Sequence, residues 1–449
     1  MRPRSSTYLF SVLLLCGAVS GARAATSIAI GQPPLPIGPE MLDTSLFFRS
    51  VGSAQCGPRQ ITPAVASSGK QYLVAWSEAD PSPKIYAERL DGDGRPLDGR
   101  GIPVVSTPGN LGVEPRLASN GTDYLILWRE ETPEIATKYL LKARVIRQDG
   151  TFGSQEILLD GNVESDSVPA VQWDTTSYLV TWPSNIGVAK SLIAVQLSAD
   201  GQIVKGPFAL SEIDTNASRP NIAWSGTNFM VVWEESRHAE VCDRLPCPFE
   251  TRDIRAARVS ASGQILDQLI TVVHEENVPV ADPDVAWNGS EFLVIYSRDE
   301  QNSSRRGIWG SRYSDNGVPM DTAFDPAGFQ IVKQVGDSLL KGRLASDGVG
   351  FLVGWDALVT DLDVFASRVT SEGFLLDTVP AQGQIVAASS LAESSPDLDS
   401  RGERRIIVVY SRDTNFEGGC VTSRIFSRFI GENDPTPPPP PVRRRPVRL

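Results

Sequence analysis

The sequence predicts an all-β fold, a seven-bladed β-propeller of four-stranded antiparallel blades, and three observations carry that prediction. A landmark unit recurs seven times, starting near residues 63, 115, 169, 220, 283, 342 and 396. In each copy a proline (glycine at 342) is followed by an aromatic residue 13 positions later, or 14 in the last copy: Trp76, Trp128, Trp182, Trp233, Tyr296, Trp355 and Tyr410. The copies start 51 to 63 residues apart, which is room for four short strands and their turns. Finally, the last copy runs out after three strands, so a strand from the N-terminal side is needed to complete it and remove the open edge.

Each blade can be justified strand by strand. The first strand carries an aliphatic residue two places after the landmark (Val65, Leu117, Val171, Ile222, Val285, Leu344, Leu398) and a mostly small one next to it (Ala66, Ala118, Ala223, Ala286, Ala345). That alternation suits a strand crowded against an axis. A glycine turn follows in six copies; Thr175 takes its place in the third, where a different turn is expected. The second strand is apolar on both faces, as in Phe229-Met230-Val231-Val232-Trp233, so it needs cover from both sides, and neighbouring blades are that cover. The landmark aromatics are therefore expected in the core between blades.

The third strand carries Arg89, Arg144, Arg258, Arg312, Arg368 or Arg428. Their repetition argues for a structural role, pairing with blade carboxylates or stacking on an aromatic ring. A Leu-Asp or Met-Asp pair often follows (Leu97-Asp98, Leu266-Asp267, Met320-Asp321, Leu376-Asp377), and then a short fourth strand. Residues 42–50, with Leu46-Phe47-Phe48, are expected to be the closing strand, which places the propeller at 42–432.

The ends have a different character. Arg2 and Arg4 precede an apolar run to Val19, and Ala22-Arg23-Ala24 offers the small residues of a cleavage site, so residues 1–24 are expected to be a signal peptide. Lipidation at Cys16 is the alternative, with Leu15 standing where a small residue belongs. Residues 25–41 are expected to be extended, and 433–449, with five consecutive prolines and four arginines, a disordered tail. No later run approaches the ~20 apolar residues of a membrane span. The net charge is -12, and leader and tail hold seven of the positive charges, so the body is more acidic still. Such a body repels nucleic acid and anionic membrane.

Export makes the cysteines worth pairing. On the propeller, Cys56 and Cys420 fall in loops on one face although they are 364 positions apart, and a Cys56–Cys420 disulfide would staple the closure. Cys242 and Cys247 lie in an enlarged second-to-third strand loop of blade four and are expected to pair locally.

The blades lack the Gly-His…Trp-Asp, paired-glycine and Ser-x-Asp-x-Gly-x-x-Trp signatures of the WD, kelch and sialidase propellers. Tyr72-Leu73-Val74-Ala75-Trp76 with Arg89, and Phe351-Leu352-Val353-Gly354-Trp355 with Arg368-Val369 and Leu376-Asp377, are similar to a set of secreted bacterial, myxobacterial-type repeat proteins. The resemblance covers about residues 42 to 430 and implies a secreted propeller. It brings no catalytic residues.

Candidate function rests on what projects from one face. The second strands exit at Glu78, Glu130, Glu234-Glu235, Asp299, Asp356 and Asp413, which could bind a cation, a cationic group or a sugar, or simply hydrate apolar strand ends. Two suitably spaced carboxylates would suffice for glycoside hydrolysis, but seven similar positions are a poor sign of one active centre. Arg244 and Phe249, in the blade-four loop, are the further ligand-binding candidates, since long loops on a rigid ring commonly carry binding. No cofactor is expected: Asp91-Gly92-Asp93-Gly94 offers only part of a calcium loop, and His238 and His274 have no metal-ligand spacing. The expectation is a secreted or cell-envelope protein that binds a protein or a glycan without catalysis, with a polysaccharide hydrolase or lyase as the alternative.

Overall fold

The computed structural model describes residues 29–30, 35–37 and 59–431, apart from 79–83, 100, 106–110, 132–137, 186–189, 213–214, 238–250, 268, 275–277, 300–305, 323–327, 334–340, 360, 378–382, 403–404 and 417–419. Seven antiparallel sheets form the ring, and the described residues include no helix. Blade 1 is Gln60–Ser67, Tyr72–Glu78, Lys84–Leu90 and Ile102–Pro103. Blade 2 is Leu111–Ser119, Tyr124–Glu131, Tyr139–Ile146 and Ile157–Val163. Blade 3 is Ala170–Trp173, Tyr178–Asn185, Lys190–Leu197 and Ile203–Ala209. Blade 4 is Ala217–Trp224, Asn228–Arg237, Thr251–Ser260 and Ile270–His274. Blade 5 is Val280–Trp287, Glu291–Asp299, Arg306–Ser314 and Phe329–Val332. Blade 6 is Arg343–Ser346, Phe351–Leu358, Leu362–Val369 and Gln384–Ala387. In every one of these, sequence order is sheet order from the axis outward.

Blade 7 has Glu393–Ser400, Arg405–Phe416 and Cys420–Gly431, and its outer edge is taken by two short N-terminal strands, Ala29–Ile30 and Leu35–Ile37. Ile30 lies opposite Ile430, and Leu35 opposite Ser427. The ring is thus closed by N-terminal pairing in the last blade. Residues 42–50, expected as the closing strand, lie outside the described residues; the described pairing along 425–431 is with 29–30 and 35–37. Two- and three-residue strands are too short to show a period, which is why the segment read as merely extended.

Each landmark aromatic is buried and shares a core cluster with the preceding blade. Trp76 packs with Ile407 and Val409 of blade 7, Trp128 with Leu73 and Ala75 of blade 1, and Trp182 with Leu125 and Leu127 of blade 2. Trp233, Tyr296, Trp355 and Tyr410 repeat the arrangement around the ring. Burying one such ring is worth about 3 kcal/mol, so seven equivalent contacts hold blade to blade.

Polar staples cross the same interfaces. Arg89, Arg258, Arg312 and Arg368 grip Asp98, Asp267, Asp321 and Asp377 with Nε and Nη2, nine residues downstream in the same blade. In three of them Nη1 reaches on to a backbone carbonyl of the next blade: Arg89 to Gln148 at 2.8 Å, Arg258 to Asp315 at 2.9 Å and Arg312 to Ser371 at 2.6 Å. The next blade's turn glycine lies beneath each of these arginines; a Cβ on Gly150 would sit 2.9 Å from Arg89 Nε. Blade 2 lacks the aspartate, and Arg144 instead stacks on Phe152 with its guanidinium carbon 3.4 Å from the ring centroid. The repeated arginines and the Leu-Asp pairs are two halves of one device.

Thr175 departs from expectation. Its turn is the same left-handed turn as in the other blades, with φ of 90°, next to Gly121 at the same angle. The strain on a branched residue is offset by Asp174, whose Oδ1 accepts from the Thr176 and Ser177 N–H groups at 2.7 and 2.6 Å.

A candidate ligand-binding site on the ring axis

The inner strands begin irregularly. In blades 1, 2, 4, 5 and 7 the pairing with the second strand slips by a bulge, between Ile61 and Ala64, Val113 and Arg116, Ser218 and Asn221, Ala281 and Asp284, and Ser394 and Asp397. Each bulge contains the landmark proline, preceded by a left-handed non-glycine residue: Thr62, Glu114, Arg219, Asp282 and Ser395, with φ between 49° and 55°. A residue before proline prefers extended backbone, and the left-handed well costs a non-glycine residue on the order of 1 kcal/mol or more. The preceding blade holds three of these kinks in place. Ser77 Oγ, Glu234 Oε1 and Asp356 Oδ2 accept the N–H groups of Glu114, Asp282 and Ser395 at 3.0, 2.6 and 2.8 Å.

The bulge delivers the residue after the proline to the axis. That column reads Ala64, Arg116, Ala170, Asn221, Asp284, Arg343 and Asp397, and all seven line one axial cavity of about 380 Å³. A second hollow of about 340 Å³, sharing Arg116, Asn221, Arg343 and Asp397 with the first, lies among the bulges at the end where the second strands exit.

An inner strand has no partner on its axial side, so its N–H groups there need acceptors. Asp284 Oδ2 accepts from Leu344 N of the next blade at 3.0 Å, and its Oδ1 from Val285 N at 2.8 Å. Across the closure, Asp397 Oδ2 accepts from Val65 N at 2.8 Å and Asp399 Oδ2 from Ser67 N at 2.6 Å. Asn221 Nδ2 donates to Pro283 O at 2.7 Å. Burial pushes Asp284 up to about 6 and Asp399 up to about 7, and raises Asp397 as well; the Arg343 charge pulls Asp284 and Asp397 back, and backbone N–H donors pull back all three.

The two arginines of this column are differently placed. Arg116 makes one hydrogen bond, from Nη1 to its neighbour Pro115 O at 3.0 Å, and Arg343 makes none among the described residues. No carboxylate among the described residues forms an ion pair with either. Burial lowers the Arg116 pKa, and the Arg343 charge lowers it further, while the Asp397 and Glu114 carboxylates raise it. Three residues further along the same strands as Asn221 and Asp284, Trp224 and Trp287 also line the cavity, leaning on Phe229 and Phe292 with ring centroids 4.7 and 4.6 Å apart. The same column is serine in blades 1, 2, 6 and 7: Ser67, Ser119, Ser346 and Ser400. The cavity therefore combines aromatic and charged lining, the mix that fixes and orients a polar ligand.

Sequence reasoning passed over this column. It followed the aliphatic and small positions because they repeat, and the residue between proline and aliphatic looked like noise. Its failure to repeat is the signal that could have found it.

The acidic residues at the second-strand exits lie one, two or three places after the landmark, so strand alternation sends them to opposite faces. Glu130 is buried, accepting from Trp128 Nε1 at 3.1 Å and Lys142 Nζ at 2.6 Å. Glu234 takes Arg219 and Arg252 at 3.0 and 3.3 Å, and Glu235 lies 3.7 Å from Arg255. Asp299 pairs with Arg306 at 2.6 Å, and Asp413 accepts from Ser423 Oγ at 2.6 Å. Glu78 is half-buried at the rim, its pKa raised chiefly by burial. Only Asp356 lines the axial hollow. Arg244, Phe249, His238 and the Cys242–Cys247 pairing lie outside the described residues, as do Cys56 and the side chain of Cys420. In the Asp91-Gly92-Asp93-Gly94 turn, Asp91 Oδ1 accepts from Asp93 N and Arg95 N at 2.8 and 2.9 Å, and Asp93 pairs with Arg95. His274 Nδ1 is 2.7 Å from Asp253 Oδ1. Among the described residues no three His, Cys, Asp or Glu side chains converge as a metal site, and no helix is long and apolar enough to cross a membrane.

No family model matches the chain, and no curated protein sequence does. Among solved structures it is similar to a protein of unknown function from Dyadobacter fermentans, at 13% identity over 84% of this chain and 95% of that one, with a TM-score of 0.49. It is also similar to the β-propeller domain of the Trilobed protease from Pyrococcus furiosus, at 11% identity over 82% and 95%, with a TM-score of 0.45. A third likeness is to the α-L-arabinofuranosidase Arb93A from Fusarium graminearum, at 9% identity over 88% and 97%, with a TM-score of 0.43. No activity follows from likenesses at this level.

Proposed function

We propose that the protein is a secreted, non-catalytic binding protein that takes the polar end of a glycan into the axial cavity from the side of the bulges. One observation carries the reading: the inner-strand column that does not repeat, Arg116, Asn221, Asp284, Arg343 and Asp397, lines the cavity together with the repeated aliphatic and small positions, and brings polar groups of differing chemistry to it. Trp224 and Trp287 supply apolar faces on which a sugar ring stacks. Secretion is supported by the leader-like residues 1–24 and by the resemblance of the blades to exported repeat proteins. A place in the cell envelope fits both.

A hydrolase or lyase acting on polysaccharide is the second reading, favoured by three carboxylates with raised pKa values in one cavity. Against it, Asp284, Asp397 and Asp399 each already accept a backbone N–H, which is the work of a structural cap. A glycan array and a hydrolase screen test both readings. They are run on the wild type, on Ala64→Trp and on a chain with residues 238–250 shortened. Ala64 shares its column with Arg116 and Arg343, so a large side chain there fills the cavity. Binding lost in Ala64→Trp and kept in the shortened loop is expected. The reverse pattern moves the site to the blade-four loop, and product formation in the screen favours the enzyme.

A further inference from the structure

We infer that the axial cavity selects an uncharged sugar, with a ring stacked on Trp224 and Trp287 at its hairpin-turn end. The inference rests on the binding reading above and goes beyond it by fixing the ligand's charge and the residues that select it. The cavity brings two arginines, Arg116 and Arg343, together with three aspartates, Asp284, Asp397 and Asp399. These charges offset one another through space: Arg343 pulls down the Asp284 pKa, and Arg343 and Arg116 both pull down that of Asp397. An added charge of either sign upsets the balance. An anion faces three carboxylates and a cation two guanidinium groups, in a partly desolvated place. An uncharged ligand enters without that cost.

The lining also favours hydroxyl groups. Arginine offers only donors and an ionised aspartate only acceptors, while a hydroxyl is both. Asp284, Asp397 and Asp399 each accept a backbone N–H, but a carboxylate has about four lone-pair sites, so each has acceptor capacity left. A sugar carries several hydroxyls at fixed spacing and satisfies both kinds of lining group at once.

The two tryptophans are not required by the blade. At their position blades 1, 2, 6 and 7 carry serine, whose Oγ accepts the N–H of the turn glycine. Ser67 accepts from Gly69 at 3.3 Å, Ser119 from Gly121 at 3.1 Å, and Ser346 and Ser400 from Gly348 and Gly402 at 3.0 Å. In blades 4 and 5 the next residue holds the turn instead, Ser225 Oγ accepting from Asn228 N at 3.1 Å and Asn288 Oδ1 from Glu291 N at 2.9 Å. The indoles are thus relieved of turn duty, and they stand half-buried in the cavity wall. An aromatic face there packs on the apolar C–H face of a sugar ring. Trp173 is a control built into the ring: it leans on Tyr178 with centroids 4.6 Å apart, as the other two lean on phenylalanine, but the cavity lining in its blade stops at Gln172.

Isothermal titration of the full chain, beside the glycan array, separates the inference from the reading beneath it. The probes are cellotriose, mannotriose and galactotriose, their uronate counterparts, and the chitosan trimer. A neutral probe is expected to bind at least about 10-fold more tightly than its charged counterparts, with a Kd that changes less than about twofold between about 50 and 500 mM salt. Trp224→Ser and Trp287→Ser, which install the residue of the other blades, are each expected to weaken binding about 10-fold. Trp173→Ser, the same change outside the cavity, is expected to leave it within about twofold. Trp224→Phe and Trp287→Phe keep an aromatic ring and should retain part of the affinity, and thermal unfolding shows that each variant is folded. Equal or tighter binding of a uronate or of the chitosan trimer overturns the assignment of charge and leaves the glycan reading standing. Equal losses in all three serine variants overturn the stacking assignment and make the column scaffold. If the array alone yields a ligand, an uncharged one supports the inference and a charged one overturns it. Failure of every glycan overturns the reading itself.

Discussion

Arg312 and Arg343 belong to adjacent blades, and the ring uses them in opposite ways. Arg312, on a third strand, is held bidentate by Asp321 and donates to Ser371 O of the next blade. Its arrangement recurs in Arg89, Arg258 and, for the aspartate grip, Arg368. Arg343, on an inner strand, repeats only at Arg116; it forms no direct ion pair or hydrogen bond among the described residues, and its charge acts at longer range on Asp284 and Asp397. The difference teaches where to look for function in a ring built from copies. A residue required for closure must recur in blade after blade. A residue required for a ligand on the axis is free to differ, and the asymmetry of its column gives the cavity a direction.

The largest expected effect lies at the staple. Arg312→Ala leaves Asp321 without its counter-charge in a buried place and should cost about 3–5 kcal/mol, read as a lowered midpoint in denaturant unfolding. Arg312→Met, which keeps the stem without the charge, leaves the same aspartate unpaired and should cost nearly as much. A small loss would mean that the aromatic packing alone holds the blades.

Glycines sharpen the comparison within the repeats. Gly150 and Gly121 share a left-handed φ of 86° and 90°, but a Cβ at Gly150 meets Arg89 Nε at 2.9 Å and one at Gly121 meets open space. Gly121→Ala should cost about 1 kcal/mol from backbone strain alone. Gly150→Ala should cost about 2–3 kcal/mol, because the staple must shift as well. Equal losses would show that the arginine yields freely.

A smaller effect is expected from pH at the axis. The folded-state pKa of Asp399 is raised to about 7, well above its unfolded value of about 3.9. Between those values the folded state holds more protons than the unfolded state, so stability falls as pH rises. The contribution is fully present below about pH 4 and is lost as pH passes 7. Asp399→Asn keeps an oxygen for the Ser67 N–H and removes the titration, so it should raise the melting temperature at pH 8 by about 2 °C and flatten the rise between pH 7 and pH 4. A mutant less stable than wild type at pH 8 would show that the charged carboxylate is needed at the closure.

How much of this could be read without coordinates follows from what repeats. Blade number, strand order and the buried landmark aromatics were legible because each is present in all seven copies. The arginines and the Leu-Asp pairs were both visible, but the nine-residue register that makes them one staple depends on a turn geometry that spacing alone does not give. The axial site was hidden for the reverse reason. Arg116, Asp284, Arg343 and Asp397 fall in a column with two alanines and an asparagine, and the bulges that turn it toward the axis place Thr62 or Asp282 in a conformation that the following proline argues against. The closing strands at 29–30 and 35–37 were missed because pairing with the last blade, and not their own pattern, makes them strands.

The central claim is that the repeated arginines hold the ring while the unrepeated axial ones serve a ligand. Thermal unfolding of Arg343→Ala beside Arg312→Ala, at one pH and without ligand, tests it most directly. The account predicts that Arg312→Ala melts well below wild type and that Arg343→Ala stays within about 1 °C of it, because it loses no direct ion pair or hydrogen bond. A fall in Arg343→Ala as large as that in Arg312→Ala would contradict the account and make the axial column part of the scaffold.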